Sequence, residues 1–245
     1  MSETYLIGDV HGCFFTLKKL LKKIPKTSKL IFLGDLGDKG NFSFEVYDFV
    51  IKNNHTLILG NHDYMILKYL EKALEGKLKN LWTTNNSFGG YNTIKSYRKI
   101  PNKQIKEHLD FIKKSPTFLK INNLFLTHGY GLPYYKRRNQ LKNKKLKYFK
   151  SFLSNRHNNS SYIQDWEDLS SNNSIINIYG HCNVKEIEIR DNSIGIDTGC
   201  VYGGKLTALK LSSIFLNNEN KVDISKLDYI QESVSNEDIF KETLS

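Results

Sequence analysis

The chain lacks the features of a membrane protein or of a secreted scaffold held by disulfides. No apolar run approaches the roughly 18 residues that a spanning helix requires. An apparent strand at residues 4–7 starts almost at once, with no basic and apolar leader before it, which argues against a signal peptide. Only 3 cysteines occur, Cys13, Cys182 and Cys200, widely spaced and without a CxxC pair. That pattern supports neither a disulfide framework nor a zinc ribbon, so a reducing cytoplasm is the expected compartment. No internal repeat and no fibrous composition are found.

What is present is ordinary for a globular protein: 245 residues, 39% hydrophobic and 25% charged. That length can bury a sizeable core, and one domain over residues 1–245 is expected. The formal charge of +11 favours anionic partners such as phosphoesters, nucleotides or nucleic acid. Lys, Asn and Ile are used heavily along the whole chain, as in an AT-rich genome, so charge alone identifies no partner.

Residues 4–7, 29–33 and 56–59 read as strands, and residues 14–24 and 44–51 as helices. In the first helix Leu17, Leu20, Leu21 and Ile24 recur at i, i+3, i+4 and i+7, which lays one apolar stripe against a sheet. A βαβαβ start implies an α/β fold with a parallel core, in which ligands gather beyond the carboxyl ends of the strands. Residues of about 64–115 are mainly helical, interrupted at Asn85, Asn86, Gly89, Gly90 and Pro101, and are expected to form a cap. Strand patterns return at 118–121, 124–127, 175–179, 185–189, 194–196 and 206–211, which predicts a second sheet in the second half. Residues 137–150 are basic with interleaved Leu and Tyr and read as a solvated helix, while 155–174 read as a polar loop. The tail of about 233–245 carries too few apolar residues to count as core.

Polar clusters follow the strand-like runs: Gly8-Asp9-Val10-His11-Gly12, a run from Gly34 through Asp35, Gly37, Asp38 and Lys39 to Gly40, Gly60-Asn61-His62-Asp63, Thr127-His128-Gly129 and Gly180-His181. Loops at the ends of parallel strands converge, so these side chains can share one crevice. Carboxylates, imidazoles and one amide oxygen together suit Mn, Fe or Zn, whereas calcium takes oxygen alone and structural zinc takes thiolates. A lone DxH pair is ordinarily a surface or capping feature, but five such clusters in series are not.

In this order the clusters resemble the motifs of the calcineurin-like metallophosphoesterases, within the phosphoprotein phosphatase branch that includes bacterial and phage phosphatases and symmetrical dinucleoside tetraphosphatases. GDVHG, GDLGDKG, GNHD, THG and GHC are similar to that family's GDxHG, GDxVDRG, GNH[ED], H[AG]G and GH, and the resemblance spans roughly residues 4–210. Gly89-Gly90 with Thr93, Ser96 and Tyr97, and the run at 196–209, extend it. The resemblance implies a four-layer α/β/β/α sandwich of two mixed sheets flanked by helices, with two divalent cations, Mn foremost. Asp9, His11 and Asp35 would hold one cation, and Asp35, Asn61, His128 and His181 the other, with Asp35 bridging. A shared water, made hydroxide near neutral pH, would attack phosphorus directly. His62 would protonate the leaving oxygen, and Asp38 would orient His62.

The chain departs from the family at the DRG arginine, replaced by Lys39, a point charge without the guanidinium fork. Trp166 is followed by Glu167 and Asp168 where an arginine is usual, leaving Arg137, Arg138 and Arg156 as candidate phosphate ligands. Gly37 stands where the motif has an apolar residue. Asp197 is a candidate support for a ligand histidine. Cysteine packing is expected rather than a redox role, and His55, His108 and His157 lie outside the motifs. Because Asp38 is retained, the expected substrate is phosphoserine or phosphothreonine in proteins. The alternatives are a symmetrical dinucleoside tetraphosphate, an RNA-end pyrophosphate, or a silent metal- or nucleic-acid-binding module.

Overall fold

The computed structural model describes residues 3–145, 149–157 and 175–238. Trp166, Glu167, Asp168 and most of the polar stretch at 155–174 lie outside the described residues. Among the described residues the strands form two five-stranded mixed sheets. In the first, β1 (Thr4–Ile7), β2 (Lys29–Phe32) and β3 (Thr56–Leu57) run parallel, with α1 (Phe14–Leu21) and α2 (Ser43–Lys52) as crossovers. Strand β9 (Lys205–Lys210) lies antiparallel to β1, and β10 (Tyr229–Ser233) antiparallel to β9. The second sheet has the order β4 (Phe118–Ile121), β5 (Leu124–Thr127), β6 (Ile176–Tyr179), β8 (Ser193–Gly195) and β7 (Glu188–Arg190).

Strand alternation sets the layers. In β1, Leu6 faces the second sheet and packs with Ile31, Leu126, Ile178 and Ile194. Its neighbours Tyr5 and Ile7 face the helices and pack with Leu17, Leu20 and Val46. Leu6→Ala would open a cavity between the sheets and cost about 2–5 kcal/mol. The outer face of the second sheet buries Phe125 and Tyr179 under Tyr130, Leu132 and Tyr135.

The region expected as a cap consists of α3 (Asn61–Leu74), α4 (Leu81–Thr84), α5 (Gly90–Tyr97) and α6 (Asn102–Lys114). These helices pack on α2 and on one another and share the core of that helical layer. No helix among the described residues is long and apolar enough to cross a membrane.

Three expectations need correction. Residues 137–145 are turns with a short 3-10 helix at Gln140–Lys142, not a solvated α-helix, because Leu141 is drawn fully into the core. Farther along, α7 (Phe149–Leu153) buries Phe149, Phe152 and Leu153 in the same core. The strand at 205–210 joins the first sheet through β1 rather than the second. The segment from 233 to 238 is built into the fold: Asp238 is buried, and its carboxylate accepts from the N–H groups of Phe15 at 3.0 Å and Thr16 at 2.7 Å. It thereby caps α1, whose own N-cap residue, Cys13, supplies no side-chain hydrogen bond.

Candidate metal centre

Each candidate ligand follows the carboxyl end of a strand: Asp9 and His11 after β1, Asp35 after β2, Asn61 after β3, His128 after β5 and His181 after β6. The loops are tied together by backbone. The N–H of His11 donates to the Asp35 carbonyl at 2.8 Å, and the N–H of Gly180 to the His128 carbonyl at 2.9 Å. Asp63, to which no role was assigned from sequence, gathers two loops at once. Its carboxylate accepts from the N–H groups of Asp35 (2.8 Å), Leu36 (3.0 Å) and Gly60 (2.8 Å), and from the Tyr47 hydroxyl. A Cβ on Gly60 would collide with the Asp35 carboxylate, so this glycine lets that side chain lie flat on the loop.

Backbone strain concentrates here. Among the described residues, the non-glycine positions with positive φ are His11 (47°), Asp35 (53°), Asp38 (66°), Lys39 (64°), His181 (59°) and three asparagines. Asparagine and, less often, aspartate visit the left-handed region, whereas His and Lys do so at a cost of roughly 1–2 kcal/mol each. Every strained residue other than asparagine is thus one that the sequence had singled out.

The donors converge on Asp35. Its Oδ2 lies 3.3 Å from His128 Nε2 and 3.6 Å from His11 Nε2. Asp9 Oδ2 lies 3.9 Å from His11 Nε2 and accepts the His181 N–H at 3.2 Å, and Asn61 Oδ1 is 2.9 Å from His128 Nε2. Donor atoms of Asp35, His128 and His181 all fall within 4.8 Å of one another, as do those of His11, Asp35 and His62. Backbone carbonyls fix the imidazoles: Nδ1 of His11 donates to Gly37 and Nδ1 of His128 to Leu33, each at 2.8 Å. Each Nε2 is therefore turned toward the Asp35 carboxylate, where it could serve as a ligand atom. Asp197 is buried, and its Oδ1 accepts from the Gly199 N–H at 3.1 Å; the backbone carbonyls, not Asp197, hold the Nδ1 atoms of His11 and His128.

The electrostatics fit divalent cations. Burial, and then Asp197, push the Asp9 carboxyl well above the usual carboxylate range. Burial opposes charge on Asp35 as well, but the histidines His128 and His62 outweigh it and hold its carboxyl well below that range. Burial likewise opposes charge on His128, yet Asp35 and Asp9 raise it to about 10, while burial and the His128 charge lower His181 to about 3. Buried carboxylates this close demand positive charge, and cations placed between these donors would supply it.

Beside the cluster, His62 Nδ1 donates to Asp38 Oδ2 at 2.8 Å. Asp38 is fully buried and also accepts from Trp82 Nε1 (2.8 Å, on Oδ2) and from the Thr93 hydroxyl (2.6 Å, on Oδ1). The His62 ring stands edge-on to that of His11, with centroids 4.8 Å apart. Trp82 carried no motif, and only its buried position on α4 reveals its part.

Lys39 Nζ reaches His11 Nε2 at 2.9 Å and lies 5.0 Å from the Tyr202 ring centroid. Arg138 is engaged elsewhere: its guanidinium sits over the Tyr135 ring at 4.3 Å and donates to the Tyr135 carbonyl, with Arg137 exposed on the same turn. Arg156 is the arginine whose charge acts on His181. Gly37 leaves room for Ile66, whose Cδ1 would lie 2.6 Å from a Cβ there, so the missing apolar side chain is replaced from α3. All three cysteines are buried, and burial drives the Cys182 thiol up to about 12, which suits packing rather than reactivity.

The model of the calcineurin-like phosphoesterase family matches residues 3–242. The bis(5'-nucleosyl)-tetraphosphatase PrpE [asymmetrical] of Anoxybacillus flavithermus is 30% identical over 228 residues, covering 84% of this chain and 89% of that protein. Among solved structures, a candidate diadenosine tetraphosphatase superposes with a TM-score of 0.60 at 21% identity, covering 96% of this chain and 95% of that one. A protein serine/threonine phosphatase from Saccharomyces cerevisiae gives a TM-score of 0.62 at 14% identity, covering 94% and 79%. Likeness at these identities concerns the fold.

Proposed function

Because the chain belongs to the calcineurin-like phosphoesterase family, we propose that it hydrolyses dinucleoside tetraphosphates at a centre where Asp9, His11, Asp35, Asn61, His128 and His181 hold two divalent cations. The observation that carries the chemistry is the convergence on Asp35 of donors from both sheets. The mixed oxygen and nitrogen set suits Mn. Such cations, when bound, polarise a phosphoryl group and make water nucleophilic near neutral pH. The chain's own residues do the rest. His62 donates a proton to the leaving oxygen, and Asp38 holds its ring in place. Lys39 contributes a point charge to the phosphate chain, and Arg156 a second cation at the His181 edge.

The tetraphosphate is favoured over a phosphoprotein by relatives named bis(5'-nucleosyl)-tetraphosphatases that align over most of both chains. The tetraphosphatase alternative raised by the sequence is the symmetrical one, whereas those relatives are named asymmetrical. Water is therefore expected to split the substrate into a nucleoside monophosphate and a nucleoside triphosphate, not into two diphosphates. A second reading, hydrolysis of phosphoserine or phosphothreonine, draws on the His62–Asp38 pair, since an alkoxide needs a proton on departure more than a phosphate does.

The test is Mn-dependent turnover of diadenosine tetraphosphate and of a phosphoserine peptide, with products resolved by chromatography and Asp35→Asn as control. AMP with ATP supports the proposal, and ADP alone would return the symmetrical alternative. Clear preference for the peptide would replace the tetraphosphate with the second reading.

A further inference from the structure

A cavity of about 240 Å³ opens beside the metal centre, with Asn61 in its wall. Its other walls include Tyr64, Lys68 and Tyr69 of α3, Phe88 from the segment before α5, and Lys150 of α7. Three aromatic rings, two from α3 and one from the segment before α5, thus border one small space, each only half-buried. Both lysines are exposed at its mouth. No residue assigned to metal binding or proton transfer uses this space except Asn61.

We propose that this cavity is the subsite for one nucleoside of the substrate: a base lies against the Tyr64 and Phe88 rings, and Lys68 and Lys150 face the phosphates. The inference rests on the dinucleoside tetraphosphate reading. Size argues for one nucleoside, because ligand pockets for larger molecules usually span about 300–1,000 Å³. Position argues for a nucleoside near the reacting phosphorus. At about 1.5 Å of rise per residue, Tyr64 sits about 4.5 Å along α3 from Asn61, and Lys68 about 10 Å. The helix therefore presents, in order, a candidate ligand of the cation, an aromatic face and an ammonium group. Chemistry argues for a heteroaromatic ring, since stacking on aromatic side chains accepts any base through its π-face, and a lysine over such a ring adds to it. Lys68 Nζ already lies 5.1 Å from the Tyr69 centroid. A base seated this close to the cluster leaves few phosphates between it and the cleaved bond, in keeping with asymmetrical cleavage.

Calorimetry of the Mn-loaded protein with AMP and with ribose 5-phosphate, which carries the same phosphoryl group without the base, reads the subsite independently of turnover. The expected result is a tenfold to hundredfold preference for AMP, lost in Phe88→Ala and in Tyr64→Leu, each checked for folding by its thermal midpoint. Equal affinity of the wild-type protein for the two ligands overturns the subsite, even if the tetraphosphate is hydrolysed. A clear AMP preference without tetraphosphate hydrolysis upholds the nucleoside site and instead sinks the substrate reading.

Discussion

Trp82→Phe tests whether the helical layer tunes His62, the proposed proton donor. The indole N–H is one of three donors on the buried Asp38 carboxylate, and it shares Oδ2 with His62. A hydrogen bond to a charged group contributes about 1.5–3 kcal/mol. Phenylalanine retains the apolar packing on Tyr69, whose ring centroid is 5.9 Å from that of Trp82, but lets the carboxylate turn about the remaining Thr93 contact. If about half of the lost energy is expressed in the transition state, kcat falls about threefold to tenfold. The fall should depend on the leaving group. Phenyl phosphate releases a phenol with a pKa near 10, like that of tyrosine, and depends on the proton from His62. p-Nitrophenyl phosphate releases a far more acidic phenol and should stay within about twofold of wild type. The assay is kcat for both esters with saturating Mn, alongside thermal melts to exclude unfolding. Equal losses on the two esters, or none on phenyl phosphate, would refute the positioning role of Trp82.

Asp238→Ala should destabilise the fold by about 1–2 kcal/mol in urea titrations, because α1 loses its cap and the hydroxyl of Thr16 loses its acceptor. His108 is buried, hydrogen-bonded to the Tyr97 hydroxyl at 2.8 Å, and lowered by burial to about 4. Between that value and the unfolded 6.5 the unfolded chain takes up a proton that the fold refuses, so stability drops as pH falls through this window. His108→Asn, which can keep the Tyr97 contact, should remove about 1–2 kcal/mol of the stability difference between pH 7.5 and pH 5.0 in metal-free protein. Lys39→Asn should leave the thermal midpoint unchanged or raised, since asparagine accepts the left-handed backbone at this position, while tetraphosphate turnover drops at least about tenfold. A lowered midpoint would show that the lysine side chain itself supports the loop.

Period and position made most of the fold legible. Strands β1, β4 and β5 fall on the expected residues because each is a short apolar run bounded by turn residues. Strand β10 was missed: its alternation is weak, with residues only partly buried at the sheet edge, and its place comes from pairing with β9. The sheet that a strand joins is a long-range choice, which is why β9 was placed with the wrong partners. In the candidate metal centre, the donors that follow strand ends could be read because strand and loop are adjacent in sequence. Their supports could not. Asp63 binds across 28 residues to Asp35, and Trp82 across 44 to Asp38, and neither spacing has a period to betray it.

The two substrate readings share the metal cluster and differ only in what surrounds it. An acid as well supported as His62 looks excessive for a tetraphosphate, whose leaving phosphate is weakly basic. The charge of the products supplies the missing reason. A nucleoside triphosphate leaving the site carries several negative charges crowded against the monophosphate it leaves behind, in a medium of low dielectric. Protonation of the departing oxygen removes one of those charges where repulsion is strongest. The same acid then serves an alkoxide by its basicity and a polyphosphate by its charge, so retention of Asp38 does not favour the phosphoprotein. What separates the substrates is recognition beyond the reacting phosphorus, and there the aromatic cavity beside Asn61 offers a surface for a base.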